Sequence, residues 1–107
     1  MNSGLKPIEP ADIAKLQHID RSTMIQQLKI FIFDLLQHDF ERLCALTYRH
    51  DVNEQFFNDA LSLPNDDARA EAISILIIER EMLKIETRAK YSKKSQNEIN
   101  SKATNED

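Results

Sequence analysis

Between Thr23 and Ala89 apolar residues recur every third or fourth position, the spacing that gathers side chains on one side of a helix, in four segments separated by short polar breaks. The first is announced by Thr23 with Gln26 three residues later, a capping-box spacing that satisfies free backbone N–H groups. It is predicted over residues 24–37, with Met24, Leu28, Phe31, Ile32 and Leu35 as its main stripe and Ile25 and Leu36 widening it. Asp39 offers a cap for a second helix over 40–48; the competing outcome is one helix continuing through His38 with a kink. The third start is the clearest: Asn53 caps, Glu54 complements the positive end of the helix dipole, and Val52 and Phe57 stand at the two positions of a hydrophobic staple. This helix carries Phe56, Phe57, Ala60 and Leu61 and stops before Pro64. Asn65 caps the last and longest helix, with Asp66 and Asp67 in its first turn, predicted from 68 to 89 or slightly beyond. Residues 29–33 and 73–78 are rich in strand formers, but the flanking helical period and the lack of turn signals favour helix.

Composition strengthens this all-α expectation. After Gly4 there is no glycine, and after Pro10 the only proline is Pro64. Phosphate-cradling loops, dinucleotide-binding turns and nucleophile elbows all need glycine, so none can be built from residues 11–107. The chain of 107 residues is expected to form one small four-helix, bundle-like domain over 21–91, preceded by a flexible or loosely docked arm over 1–20. Pro10 can open a short helix in that arm carrying Ile13, Leu16 and Ile19. Residues 92–107 hold one isoleucine and three charges of each sign, too little apolar surface to offset ordering entropy, so a disordered tail is expected.

The last helix holds a second pattern. At 100° per residue Ala68, Ala72, Ile75, Leu76, Met82, Leu83 and Ala89 share one broad face, expected to be core. Ile73 and Ile77 fall on the opposite side, and Ile30 and Phe33 likewise lie away from the main stripe of the first helix. Two helices are thus apolar on both faces, either because they sit centrally in the bundle or because the second faces form a subunit interface. The expected interface is Ile73, Ile77, Arg80 and Lys84, with Ile30 and Phe33, serving a homodimer or a protein partner.

Charge adds an orientation. The net charge is −4, from 14 Lys plus Arg and 18 Asp plus Glu, which opposes non-specific binding to phosphates. Residues 34–71 carry nine carboxylates against three Lys or Arg, whereas Arg80, Lys84 and Arg88 make a positive stripe followed by Tyr91, Lys93 and Lys94. That stripe can meet an acidic partner. The alternative is a regulatory nucleic-acid-binding protein using Arg80, Lys84, Arg88 and Tyr91, the last as a stacking residue. The bland account is a solvated face in which Glu81 pairs with Lys84 and Glu86 with Lys90.

Catalytic patterns are sparse, and neither an enzyme nor a cofactor is expected. Asp34, His38 and Glu41 can share a helix face and approach a divalent metal, but the Glu-x-x-His pairs of di-iron bundles are absent, and a solvated helix junction is the simpler account. No metal site is therefore expected. Cys44, the single cysteine, lies among Leu43, Ala45 and Leu46 as a small apolar residue, with no spacing that selects His18, His38 or His50 as its base. In the cluster Tyr48-Arg49-His50-Asp51, Asp51 is expected to pair with Arg49 or His50, and Tyr48 to bury its ring with the hydroxyl at the surface. Unpaired cysteine use, no apolar run longer than four residues and a start, Met1 to Lys6, without a secretory core point to a cytoplasmic chain that does not cross a membrane.

The strings His38-Asp39-Phe40-Glu41-Arg42-Leu43, Tyr48-Arg49-His50-Asp51-Val52-Asn53-Glu54, Ile77-Ile78-Glu79-Arg80-Glu81 and Lys84-Ile85 together resemble a class of small all-helical bacterial proteins over residues 35–88. The resemblance implies a compact bacterial helical domain and brings no activity with it. The expected function is a non-enzymatic protein-interaction module or small partner subunit, self-associating through helix faces.

Overall fold

The computed structural model describes residues 5–105, with side chains described through Lys90. It is all-helical: a 3-10 segment Pro10–Leu16, then α1 (Arg21–His38), α2 (Phe40–Arg49), α3 (Glu54–Leu61) and α4 (Asp66–Asn105), with no strand among the described residues. The side chains of α4 beyond Lys90 lie outside the described residues, and the expected disordered tail falls largely on that stretch.

Each boundary has a local cause. Asp20, not Thr23, caps α1: its carboxylate accepts from the Thr23 backbone N–H at 3.1 Å and from the Thr23 hydroxyl at 2.8 Å, so the helix begins three residues before the predicted start. These donors, the hydroxyl first, hold the Asp20 carboxyl below its ordinary value of 3.8. Asp39 separates α1 from α2 in a non-helical conformation, φ −155° and ψ 69°, and accepts from the Arg42 N–H, so a break replaces a kinked continuous helix. Asn53 accepts from the Gln55 and Phe56 N–H groups, and Asn65 from that of Ala68. Arg69 closes the α3–α4 corner, donating through Nε to the carbonyls of Leu61 and Leu63 and through a terminal nitrogen to Asp66.

The core runs along α1 and α4. Met24, Leu28, Ile32 and Leu35 of α1 are buried as their spacing predicts, together with Leu43, Phe57 and Ala60 from the shorter helices. The described part of the N-terminal segment packs against this core: Ile8, Pro10 and Ile13 are buried, and the Ile8 N–H donates to the Gln27 carbonyl at 3.3 Å. Proline at the first helical position lets the backbone turn as the burial of two isoleucines anchors it.

Helix α4 is rotated from the sequence expectation by about half a turn. Ala70, Ile73, Ser74, Ile77 and Ile78 are fully buried, whereas Ala68, Ala72, Ile75, Leu76 and Met82 are half-buried and Leu83 and Ala89 are exposed. Ile73 and Ile77 are thus buried in the core of the chain itself. Ser74 belongs to the buried stripe because its hydroxyl donates to the Ala70 carbonyl at 2.7 Å, which satisfies the group within its own helix. Ile30 and Phe33 are half-buried, and Phe33 packs against the core.

Candidate functional site

Below Ile77 the inward stripe of α4 changes from apolar to ionic. One turn on stands Glu81 and, three residues later, Lys84, facing the tight connection between α2 and α3. That connection closes through the Val52 N–H to the Thr47 carbonyl and sets Asp51 at φ 61°, a left-handed conformation that aspartate tolerates better than bulky or branched residues. The turn aims two side chains at α4. His50 Nδ1 donates to Glu81 Oε2 at 2.7 Å, with both side chains nearly nine-tenths buried; Lys84 Nζ donates to the same Glu81 oxygen at 3.2 Å and forms an ion pair with Asp51 Oδ2, also at 3.2 Å. The expected Glu81–Lys84 pair is present. Asp51 turns to Lys84 instead of Arg49 or His50, because side chains one or two positions away diverge while α4 supplies an ammonium opposite. Tyr48 is 86% exposed, so its ring is not buried.

This ionic latch fixes α4 against the start of α3 and leaves an open groove beside it. Phe56, 54% exposed, and Leu83, 49% exposed, stand on either side, with Leu76 and Val52 between them and Glu79 and Arg80 at the rim; the hollow is about 460 Å³. It continues along α4 into a second hollow of about 350 Å³, where Arg80 and Leu83 are joined by Lys84, Thr87 and Arg88. One end of this strip is therefore apolar and the other basic. Rim charges are unequally engaged: Glu79 pairs with Arg21 at 2.9 Å and Lys84 is held by two carboxylates, whereas Arg80 and Arg88 make no ion pair among the described residues.

Of the interface residues expected from sequence, Arg80 lies on this strip, Lys84 contributes to it while serving the latch, and Ile73, Ile77, Ile30 and Phe33 do not line it. Of the four expected nucleic-acid residues, Arg80 and Arg88 are exposed, Lys84 is engaged, and the Tyr91 side chain lies outside the described residues. Leu83 belongs to the face of the last helix expected to be core, and Phe56 to the apolar residues of the third helix. Phe56 carries a legible signal nonetheless: beside Phe57 on a helix of eight residues, 100° separates the two rings, and once the staple position draws Phe57 inward Phe56 points outward.

Elsewhere, α2 and α3 enclose an open hollow of about 470 Å³ lined by Phe40, Cys44, Tyr48 and Leu61 among others. Burial, then the negative charge of Glu41, pushes the Cys44 thiol up, away from the thiolate that a nucleophile requires. His38 Nδ1 lies 3.1 Å from Asp34 Oδ1, with both side chains largely exposed, and no three His, Cys, Asp or Glu residues gather as metal ligands among the described residues. No helix among them is long and apolar enough to cross a membrane. No protein-family model, curated protein or solved structure matches this chain.

Proposed function

We propose that this chain is a non-enzymatic protein-interaction module whose docking surface is the α3–α4 strip, taking a polypeptide segment that brings an apolar side chain flanked by carboxylates. The observation that carries the proposal is the exposure of Phe56 and Leu83 on opposite walls of one groove that runs into Arg80 and Arg88. Single exposed apolar residues are ordinary, but an aromatic and a leucine converging on a groove with exposed guanidinium groups at its end make the apolar centre and charged rim of a binding site. The ionic latch supports the same role, since a binding surface made of two helices needs their relative position fixed before the partner arrives.

A photo-reactive benzophenone side chain in place of Phe56, introduced in cells that carry the chain, tests this. The expected result is a discrete cross-linked protein product from position 56 and none from the exposed control position Gln37 on α1. Equal yields from the two positions, or no product from position 56, would overturn the proposal.

A further inference from the structure

The groove calls for an apolar side chain beside a carboxylate, and the chain itself presents that combination. Phe56 projects from α3, and Asp59, one turn further on the same side of that helix, is exposed, its carboxylate accepting a long 3.4 Å hydrogen bond from the Gln55 side chain. Resting on the function proposed above, we infer that the occupant of the groove is a second copy of this chain in a two-fold arrangement. Each Phe56 enters the other copy's hollow against Leu76 and Leu83, and each Asp59 meets Arg80 of the other copy.

Three features favour this pairing. Phe56 is both a wall of the groove and an exposed apolar projection beside it, so a two-fold axis passing near it satisfies the two roles at once, as an isologous interface requires. The charge division points the same way: α3 carries Glu54 and Asp59 and no basic residue, while residues 80–90 of α4 carry Arg80, Lys84, Arg88 and Lys90 against Glu81 and Glu86. Finally, Phe56 of α3 and Arg80 of α4 line the same hollow, and Asp59 stands one turn beyond Phe56, so a single rotation brings both charge pairs of a symmetric dimer together. The strip is small for a permanent interface, and the association is accordingly concentration-dependent.

The test is the mass of the full chain in solution, by light scattering or sedimentation, from roughly 10 μM to roughly 1 mM, the range in which a small interface dissociates. The expected mass rises from 12.4 kDa toward twice that value. Phe56→Ser weakens the association about 30-fold or more, as loss of a central aromatic anchor does. Because Phe56 is half-exposed, the variant folds, which a far-ultraviolet spectrum checks. Asp59→Arg and Arg80→Glu each weaken association by roughly 5- to 10-fold, and the two together recover most of the loss. A chain that stays at 12.4 kDa throughout would overturn the inference, and a discrete cross-link from position 56 to a different protein would then leave the docking function standing. A dimer indifferent to Phe56→Ser would also overturn it, since another surface would hold the copies together.

Discussion

The two sides of α4 contain similar numbers of large apolar residues and have opposite surroundings. The inner side is closed: Ile73, Ile77 and Ile78 are fully buried, with Ala70 and Ser74 between them. On the outer side Leu76 is half-buried against the edge of the core and Leu83 is half-exposed, both lining the groove beside Phe56. Small residues occur on both sides, Ala70 and Ser74 on the inner and Ala68, Ala72 and Ala89 on the outer, so residue size does not separate them. What distinguishes the sides is the neighbour each one meets: the inner stripe packs into the core that α1 shares, whereas the outer side, interrupted by Glu79 and Arg80, borders the groove beside Phe56. A core face and a docking face on one helix are thus separated by fit to neighbours and not by hydrophobicity alone.

The largest expected effect is at the inner face. Ile77→Asp abolishes folding, and Ile77→Ala costs about 2–5 kcal/mol by denaturant titration, as deletion of a fully buried aliphatic group does. Next comes the ionic latch that ends this face. Glu81→Ala removes the acceptor shared by His50 and Lys84 and leaves the largely buried imidazole unpaired, with an expected loss of about 1–3 kcal/mol. Because the latch positions α3 against α4, the same variant is expected to broaden the amide resonances around Asp51 and Phe56, which a heteronuclear correlation spectrum reads.

These two effects bear on what was legible in the sequence. The four helices, the caps at Asp39, Asn53 and Asn65, and the inward stripe of α1 follow from periodicity and local chemistry, because a cap bonds within three residues and a stripe of strongly apolar residues has one direction. The orientation of α4 does not. Its inner stripe includes an alanine and a serine that a hydrophobicity pattern undervalues, and the hydroxyl of Ser74 becomes acceptable in the core only once it bonds to the Ala70 carbonyl. The latch was hidden for another reason: His50 and Glu81 are 31 residues apart, and only the left-handed turn at Asp51 brings the imidazole to α4. Burial of Ile8 and Ile13 was equally out of reach, since short segments become ordered through the core they join and not through a period of their own.

Smaller effects sharpen the contrast. Gln27 carries a buried side-chain oxygen without a hydrogen-bond partner among the described residues, so Gln27→Met is expected to raise stability by about 1 kcal/mol, read as a higher denaturant midpoint. The smallest effect is at the exposed start of α1. The Asp20 carboxyl is held below its ordinary value by Thr23, so the folded state takes up this proton less readily than the unfolded chain. The stabilisation from this cap is therefore complete above about pH 4 and is lost as pH falls through the lower folded value. Accordingly, the melting temperature of the native chain exceeds that of Asp20→Ala at neutral pH, and the difference narrows on acidification.

The orientation of α4 is the claim on which the docking surface depends, and parallel denaturant titrations of Ile77→Ser and Leu83→Ser test it most directly. The expected result is a loss of several kcal/mol for Ile77→Ser and less than about 1 kcal/mol for Leu83→Ser, as befits a fully buried and a half-exposed residue. A larger loss at Leu83 than at Ile77 would contradict the account, returning the Leu83 side of α4 to the core and Ile77 to the surface.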